Sequence, residues 1–135
     1  MTVTSIRSRS SDCRSFSVAS TELTVATRTR GRGRAKEATV AVAGEVDAAN
    51  AKHFAHAIRE AACVCRAVIV DLTAVPFMAF DGASALYAIS AHFSREDVDW
   101  CVVGSPAVTR VLQLCDPEGL IPRADVPILR GAEPA

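Results

Sequence analysis

Residues 68–86, VIVDLTAVPFMAFDGASAL, hold the pattern that decides the fold. Their first part is a continuous apolar and largely β-branched run, which is typical of a strand covered on both faces. From Gly82 onward, apolar residues recur at the spacing of one helix face: Leu86, Ile89 and Phe93. The segment therefore predicts a buried strand, a turn and a helix. Such turns commonly carry functional residues, but Ala79 and Phe80 offer no nucleophile, metal ligand or phosphate cradle.

The flanking segments continue this alternation of strands and helices. We expect strands at residues 21–30, 38–43, 67–72, 98–103 and 126–129, and further helix faces formed by Phe54, Ala57, Ile58 and Ala61 and by Val108, Val111, Leu112 and Cys115. Asp47 or Asn50 is expected to cap the first helix, and Ser105 with Pro106 to begin the third. The first two strands predict a hairpin with residues 28–34 at its tip.

This order predicts the fold class and the domain organisation. The elements run β-β-α-β-α-β-α-β, and strands joined through helices run parallel with right-handed crossovers. We therefore predict a single α/β domain with a mixed, mostly parallel sheet and helices packed on it. Residues 1–20 are rich in Ser and Arg without a period and predict a disordered tail, the domain occupies residues 21–131, and residues 132–135 form a C-terminal tail.

Size and composition favour a soluble, cytoplasmic protein. The 135 residues suffice for one hydrophobic core, and half of them are apolar. No apolar run reaches the ~20 residues that span a bilayer, and the N-terminus lacks the apolar region of a secretory signal. The sequence does not indicate an oligomeric state.

The net charge of zero hides an asymmetry along the chain. Residues 1–36 carry a net charge of +6, and residues 37–135 carry −6. The basic segment is either a solvated tail near its own acidic body or an arm for an acidic partner. In an extended ribbon its alternating arginines would share a face and could follow nucleic-acid phosphates: Arg28, Arg30, Arg32 and Arg34. The scarcity of aromatic residues and the acidic remainder argue against nucleic acid.

The chain lacks the usual signatures of an enzyme. It contains none of the motifs G-x-G-x-x-G, G-x-x-x-x-G-K-[ST] and G-x-S-x-G. His53 and His56 lie three residues apart on the first predicted helix, with Glu60 four residues after His56. No further ligand completes a metal site, so we interpret all three as surface residues. We expect neither catalysis nor a bound cofactor or metal.

Five cysteines occur along the chain: Cys13, Cys63, Cys65, Cys101 and Cys115. An odd number without a secretion signal argues against a disulfide framework. Cys63 and Cys65 form a C-x-C pair, one residue short of the C-x-x-C redox or zinc spacing. Inert thiols are the simpler interpretation, and the alternative is a redox-gated adaptor that uses Cys63, Cys65, Cys101 or Cys115.

Three stretches together resemble the STAS domain of bacterial anti-sigma factor antagonists. Residues 40–58, VAVAGEVDAANAKHFAHAI, resemble the family's strand, Gly-Glu/Asp-x-Asp loop and first helix. Residues 68–86 resemble its central strand, turn and second helix. Residues 97–122, DVDWCVVGSPAVTRVLQLCDPEGLIP, resemble its fourth strand, third helix and the Gly-Leu that follows. The resemblance covers roughly residues 20–131 in order.

The resemblance implies a regulatory protein that acts by binding. Family members bind an ATP-dependent serine kinase that also serves as an anti-sigma factor, and so free the sigma factor for transcription. The kinase phosphorylates a serine in an Asp-Ser-Ser-Gly turn, and the added charge breaks the packed interface. That turn is Ala79-Phe80-Asp81-Gly82 here, so Phe80 stands at the acceptor position and Ala79 at that of the preceding Asp. The phosphorylation site is therefore degenerate.

The partner-binding surface that the resemblance implies comprises the loop at residues 44–47, the turn at residues 79–82 and the exposed face of the second helix. Its members are Glu45, Asp47, Ala79, Phe80, Asp81, Gly82 and Ser84. Phe80 is either an exposed anchor or a core residue. Asp81 is expected to cap the second helix by accepting from the N–H of Ala83 or Ser84, with or without partner contact. Ser84 is the nearest hydroxyl and a displaced acceptor candidate.

Overall fold

The structure is a computed structural model that describes residues 11–18 and 21–124. The strands are β1 (Ser11–Val18), β2 (Thr21–Arg30), β3 (Glu37–Ala43), β4 (Ala67–Ala74) and β5 (Asp99–Gly104). The helices are α1 (Ala51–Ala61), α2 (Phe80–Arg95) and α3 (Pro106–Cys115), with a short 3-10 helix, Gly33–Ala35, between β2 and β3. Within this part of the chain, no helix has the length and apolar character needed to cross a membrane.

The strands form one mixed sheet in the order β1-β2-β3-β4-β5. β2 pairs antiparallel with both β1 and β3, whereas β4 pairs parallel with both β3 and β5. Isolated bridges between Val46 and Met78 and between Val102 and Arg123 are also parallel. The parallel pairings follow from the helical connections through α1 and α2. The predicted α/β class, with a mixed sheet and packed helices, is confirmed; the sheet is not mostly parallel, because β1 adds a second antiparallel pairing to the two parallel ones.

One face of the sheet and one side of each helix form the hydrophobic core. The buried residues of β3 and β4 alternate along each strand: Ala38, Val40, Val42, Val68, Val70 and Leu72. They form one cluster with buried helix residues, among them Phe54, Ile58, Leu86, Ile89, Phe93 and Leu112. The period of two is that of strands buried on one face.

β4 is covered on one face only, which corrects the prediction of a strand buried on both faces. The core cluster takes in Val68 and Val70, while Ile69 between them is 38% exposed. Thr73 is exposed as well. In the described part of the chain the helices pack on one face of β4, so no helix covers the other face. The apolar run could not show this because Ile69 is as apolar as its buried neighbours.

Residues 11–18 form β1, so this part of the predicted disordered tail is wrong. Ser11 lies opposite Arg28 and Val18 opposite Thr21. The unpaired N–H and C=O groups of an edge strand accept another strand through the backbone, so the Ser-rich sequence needed no apolar period. The predictions for residues 1–10 and 19–20, for a strand at residues 126–129 and for a tail at residues 132–135 lie outside the described residues.

The start of α3 agrees with the prediction. Ser105 is the N-cap, its Oγ accepts from the N–H of Val108 at 3.1 Å, and Pro106 follows in the first turn. The same hydroxyl donates to the carbonyl of Val75 at 2.7 Å. The buried Ser105 therefore ties α3 to the segment that leads from β4 to the candidate site.

Candidate functional site

The two loops that the sequence indicated as a partner-binding surface, residues 44–47 and 79–82, lie side by side at the carboxyl ends of β3 and β4. The N–H of Val46 donates to the carbonyl of Phe77 at 3.1 Å, and the N–H of Ala79 donates to the carbonyl of Val46 at 2.8 Å. These bonds extend the parallel pairing of the two strands beyond their ends. The structure thus joins the loop at residues 44–47 directly to the turn before α2.

Asp47 and Asn50 fix the loop before α1 by reciprocal hydrogen bonds. Asp47 Oδ1 accepts from the N–H of Ala49 at 2.9 Å and of Asn50 at 3.1 Å, and Asn50 Oδ1 accepts from the N–H of Asp47 at 2.9 Å. The buried Asn50 amide also donates to the carbonyl of Glu45 at 2.9 Å. Asn50 is the N-cap of α1, but its side chain caps no helical N–H. Both residues therefore hold the loop, while the Glu45 side chain is exposed.

α2 begins at Phe80, two residues before the predicted start. Ala79 is the N-cap, and its side chain forms no capping hydrogen bond. The prediction that Asp81 caps α2 is therefore wrong, because Asp81 lies inside the first turn, where its charge favours the helix dipole. Aspartate is among the preferred N-cap residues. The carboxylate that the resemblance places at position 79 would thus also be a helix cap.

Phe80 is exposed to 61% of its surface, so its interpretation as a core residue is wrong. Phe77, in the same turn, is 48% exposed, and Pro76 is exposed too. Phe77 was not among the residues that the sequence indicated, because an apolar residue soon after a buried strand is usually part of the core. Its nearness to Phe80 in the chain was the signal that could have found it. Grouped exposed apolar side chains mark interaction sites.

Gly82 lets α2 approach the loop at residues 44–47 closely. A Cβ on residue 82 would lie 2.6 Å from Cγ of Met78 and 3.0 Å from Cγ1 of Val46. Gly82, Met78 and Val46 are all buried. Gly82 therefore has a packing role in the first turn of α2, the helix that begins at Phe80.

Two exposed hydroxyl groups occur near the turn. Ser84 is exposed one helical turn after Phe80, so both lie on the same side of α2. Thr73 is exposed at the end of β4, and its hydroxyl donates to Asp71 Oδ1 at 2.6 Å. We name Glu45, Phe77, Phe80, Asp81 and Ser84, all of them exposed, the aromatic–acidic surface. It combines two apolar rings with two carboxyl groups and one hydroxyl.

The redox candidates are not part of the aromatic–acidic surface. All four are free thiols: Cys63, Cys65, Cys101 and Cys115. Cys63 is exposed and Cys65 is buried, so the members of the C-x-C pair differ in access to solvent. Burial raises the pKa of the Cys65 thiol and that of the Cys101 thiol, which disfavours the reactive thiolate form.

The histidines of α1, His53 and His56, are exposed, as the sequence predicted. His56 Nε2 lies 3.5 Å from Glu60 Oε1, one helical turn away. In the described residues, no three His, Cys, Asp or Glu side chains are grouped so that they could hold a metal ion.

The alternating arginines do not share one extended face. Arg28 and Arg30 lie on the same side of β2, opposite Thr39 and Glu37 of β3. Arg32 lies beyond the end of β2, next to the 3-10 helix Gly33–Ala35, so the alternation in the sequence is not continued in space. The hairpin tip is where it was predicted, but the ribbon of four arginines is wrong because the backbone turns at Gly31, whose φ is 87°.

Comparison with known proteins agrees with this architecture. Residues 26–126 match the STAS domain family. An anti-sigma factor antagonist from Mycobacterium paratuberculosis has a similar structure, with a TM-score of 0.57 and 24% identity over 73% of this chain and 84% of that one. The anti-sigma factor antagonist SpoIIAA in its unphosphorylated form has a TM-score of 0.56 and 15% identity over 78% of this chain and 96% of its own.

A third similar structure is that of SLC26A9, with a TM-score of 0.52 and 17% identity over 63% of this chain and 17% of that one. No curated protein matches the chain. At these identities the solved structures show a shared fold, whereas the family match extends over more than half of the sequence. By that match and by its strand and helix order, the chain belongs to the STAS domain family.

Proposed function

We propose that this protein is an anti-sigma factor antagonist, or a STAS-type adaptor, and that it regulates transcription by binding an anti-sigma factor of the serine kinase-like ATPase type. The aromatic–acidic surface is the binding site. The protein acts by binding and not by catalysis. Two solved structures with the same fold are anti-sigma factor antagonists, which supports this class of partner.

The observation that carries the proposal is the exposure of Phe80 at the first residue of α2. The resemblance places the partner contact at this position, and here a phenyl ring is 61% exposed. Burial of such a ring against a partner removes apolar surface from water, and aromatic anchors are frequent among interface hot spots. Phe77 enlarges the apolar area within the same turn.

The carboxyl groups of the aromatic–acidic surface define the kind of partner surface that fits it. Glu45 and Asp81 are exposed, and Asp81 is held in the first turn of α2 next to Phe80. A complementary surface has an apolar pocket with Lys or Arg at its rim. Such rim charges increase the association rate at low salt more than they increase affinity.

The residues at positions 79 and 80 cannot carry the phosphate that switches the family. Neither Ala79 nor Phe80 has a hydroxyl, so binding is not released by phosphorylation at the usual position. Ser84 is the one hydroxyl in the aromatic–acidic surface. A phosphate on Ser84 would place a strongly hydrated group one helical turn from Phe80, and would weaken binding because that group must lose water when the rings pack against the partner.

Calorimetric titration with purified serine kinase-type anti-sigma factors from the source organism, with ADP or ATP present, tests the proposal. Wild-type protein is expected to bind one of them, and Phe80→Ala to weaken binding about tenfold to a hundredfold. Phe77→Ala is expected to weaken it less. Leu114→Ala, on a residue of α3 that is 67% exposed, is the matched control and should bind as wild type.

The proposal is overturned if none of these anti-sigma factors binds. It is also overturned if Phe80→Ala and Phe77→Ala both bind as tightly as wild type, since the partner would then use another surface. Circular dichroism of each variant shows whether the fold is retained. A folded Phe80→Ala protein is expected, because the ring is not part of the core cluster.

A further inference from the structure

The helix-free face of the sheet is a second surface, separate from the aromatic–acidic surface. Its outward residues include two neighbouring rows across β2, β3, β4 and β5: Arg30, Glu37, Ala67 and Asp99 in the first, and Arg28, Thr39, Ile69 and Cys101 in the second. Both rows lie near the amino ends of the parallel strands, whereas the aromatic–acidic surface lies at their carboxyl ends. The two surfaces can therefore be occupied at the same time by different partners.

The middle of this face is apolar and open. Ile69 is 38% exposed on the central strand of the parallel part, and its row neighbours Thr39 and Cys101 are half-buried. A depression of about 430 Å³ runs along the two rows, with Ile69, Thr39 and Ala67 in its wall. Parallel strands are usually covered on both faces, so this face is suited to an occupant.

The charges at the two edges of the first row are opposite. Arg30 is exposed on β2, and Asp99 is exposed at the start of β5. They are separated by three strand spacings, about 14 Å, which is too far for an ion pair within one chain. Arg28, in the second row, adds to the positive edge. The face thus carries a positive edge, a negative edge and, between them, the exposed Glu37 beside a small apolar centre.

We propose that this face binds the same face of a second copy of the chain. A twofold axis parallel to the strands, between β3 and β4, places β2 of each copy over β5 of the other at the same height. Arg30 then faces the second copy's Asp99, and Thr39 faces the second copy's Ile69. Because the contact is isologous, the arginine–aspartate pair occurs twice.

The dimensions agree with this arrangement. Stacked sheets lie about 10 Å apart, a gap that an extended arginine on one sheet and an aspartate on the other can bridge together. The pairing of Arg30 with Asp99 requires this axis, since a twofold axis that runs along the row, perpendicular to the strands, would place Arg30 over the second copy's Arg30 and Asp99 over its Asp99. Association would also cover Ile69. The contact leaves both aromatic–acidic surfaces free, so it does not depend on the proposed function.

Analytical ultracentrifugation of the full chain over a concentration series tests the proposal. Wild type is expected to show a monomer–dimer equilibrium. Arg30→Glu and Asp99→Arg should each weaken the dimer at least tenfold, because each variant faces like charges in both pairs. In an equimolar mixture of the two variants, both pairs are restored with opposite charges, so dimers should return.

Lys52→Glu reverses an exposed charge on α1 and is the matched control; it should associate as wild type. Ile69→Lys is a second disruptive variant, expected to be monomeric, and thermal melting checks the fold of every variant. The proposal is overturned if wild type stays monomeric at protein concentrations up to ~1 mM, which corresponds to the weakest dissociation constant considered. It is also overturned by a dimer that persists in both single variants, or by a mixture that does not recover.

Other occupants give different results. If the full chain is monomeric but a variant ending at residue 124 dimerises with the same dependence on Arg30 and Asp99, then residues 125–135 cover the face, and the proposal fails for the full chain. If wild type is monomeric and Ile69→Lys abolishes capture of a different protein, the face binds that protein, and the proposal fails as well.

Discussion

Gly82 and Met78 are in such close contact that a Cβ on residue 82 would lie 2.6 Å from Cγ of Met78. This contact joins the first turn of α2 to the turn that follows β4, and Val46 from the neighbouring loop lies against the same point. The position of Phe80 therefore depends on a glycine two residues later. The resemblance explained Gly82 as part of a motif, and the packing supplies the physical reason for it.

Gly82→Ala is expected to destabilise the protein by about 1–3 kcal/mol. Alanine favours a helix over glycine by about 1 kcal/mol, but the new methyl group has no room between Met78 and Val46. Unfolding in guanidinium chloride measures the change. Ser84→Ala, an exposed residue of the same turn, should leave the midpoint nearly unchanged. An unaltered midpoint for Gly82→Ala would mean that Met78 moves aside without cost.

Ala79→Asp is expected to stabilise the protein by about 0.5–2 kcal/mol, because it supplies the missing N-cap of α2. Ala79→Asn has nearly the same capping ability without the charge, and it should give a similar gain. Thermal and urea unfolding of the two variants at low salt measure the effect. A gain for asparagine but not for aspartate would show that repulsion by Asp81 cancels the cap.

The double variant Ala79→Asp with Phe80→Ser recreates the family's Asp-Ser before Asp81 and Gly82. Incubation with ATP and the anti-sigma kinase that binds wild type is expected to phosphorylate position 80 in this variant and to leave residues 79–82 of wild type unmodified. Mass spectrometry locates the phosphate, and calorimetry should show that the modified variant loses binding. Phosphate on Ser84 of wild type would move the acceptor by one helical turn.

A double variant that folds but neither binds nor is phosphorylated by any serine kinase-type anti-sigma factor would count against the antagonist function. The single variant Phe80→Ser, which keeps Ala79, separates the roles of the two positions. It provides the hydroxyl without the adjacent carboxylate, so we expect less phosphorylation than in the double variant.

Asp116 closes the loop after α3 and is fully buried. Its carboxylate accepts from the N–H of Leu120 at 2.9 Å, from the N–H of Ile121 at 2.8 Å and from the Tyr87 hydroxyl at 2.8 Å. Burial alone would raise the pKa of Asp116, but the hydrogen bonds from Ile121, Leu120 and Tyr87 outweigh it and hold the pKa below its ordinary value. The ionised form is therefore the one that stabilises the fold.

Asp116→Asn is expected to lower the free energy of unfolding by about 1–3 kcal/mol at pH 7. The NH₂ group of asparagine is a donor, so it cannot accept the hydrogen bonds that a carboxylate oxygen accepts here. A lowered folded-state pKa contributes stability above the unfolded-state pKa of about 4, and this contribution is lost as pH falls through the folded-state value. The difference between wild type and variant should therefore shrink below about pH 4. Urea unfolding of wild type and variant at pH 7 and at pH 3 measures this difference. An equal difference at pH 7 and pH 3 would contradict this role.

Val64 has a φ of 66°, a left-handed conformation that is strained for a β-branched residue. Its side chain is 77% exposed, so little packing is lost when it is removed. Val64→Gly is expected to stabilise the protein by about 1 kcal/mol. Asp97, with a φ of 62°, is the matched control. Aspartate tolerates this conformation better, so Asp97→Gly should gain less in a thermal melt. Equal gains would show that the strain at Val64 is small.

Local signals in the sequence were enough for several features. Ser105 and Pro106 predicted the start of α3 because a cap needs only the residues of one helical turn. The turn signal before residues 38–43 predicted β3 for the same reason, since a hairpin is indicated by residues of one short segment. The resemblance of residues 79–82 to the family's turn predicted, in the same local way, that Phe80 stands at the position of the phosphate acceptor.

The tertiary structure alone decided the exposure of several apolar residues and the pairing of distant segments. Phe80 and Ile69 are as apolar as buried residues, and their exposure depends on where α2 starts and on which face of β4 the helices cover. β1 joins the sheet through backbone pairing, which no side-chain period records. Arg30 and Asp99 lie 69 positions apart in the sequence and share one row of the sheet. Such relations arise from non-local packing, because the register of four strands brings together residues that no short segment contains.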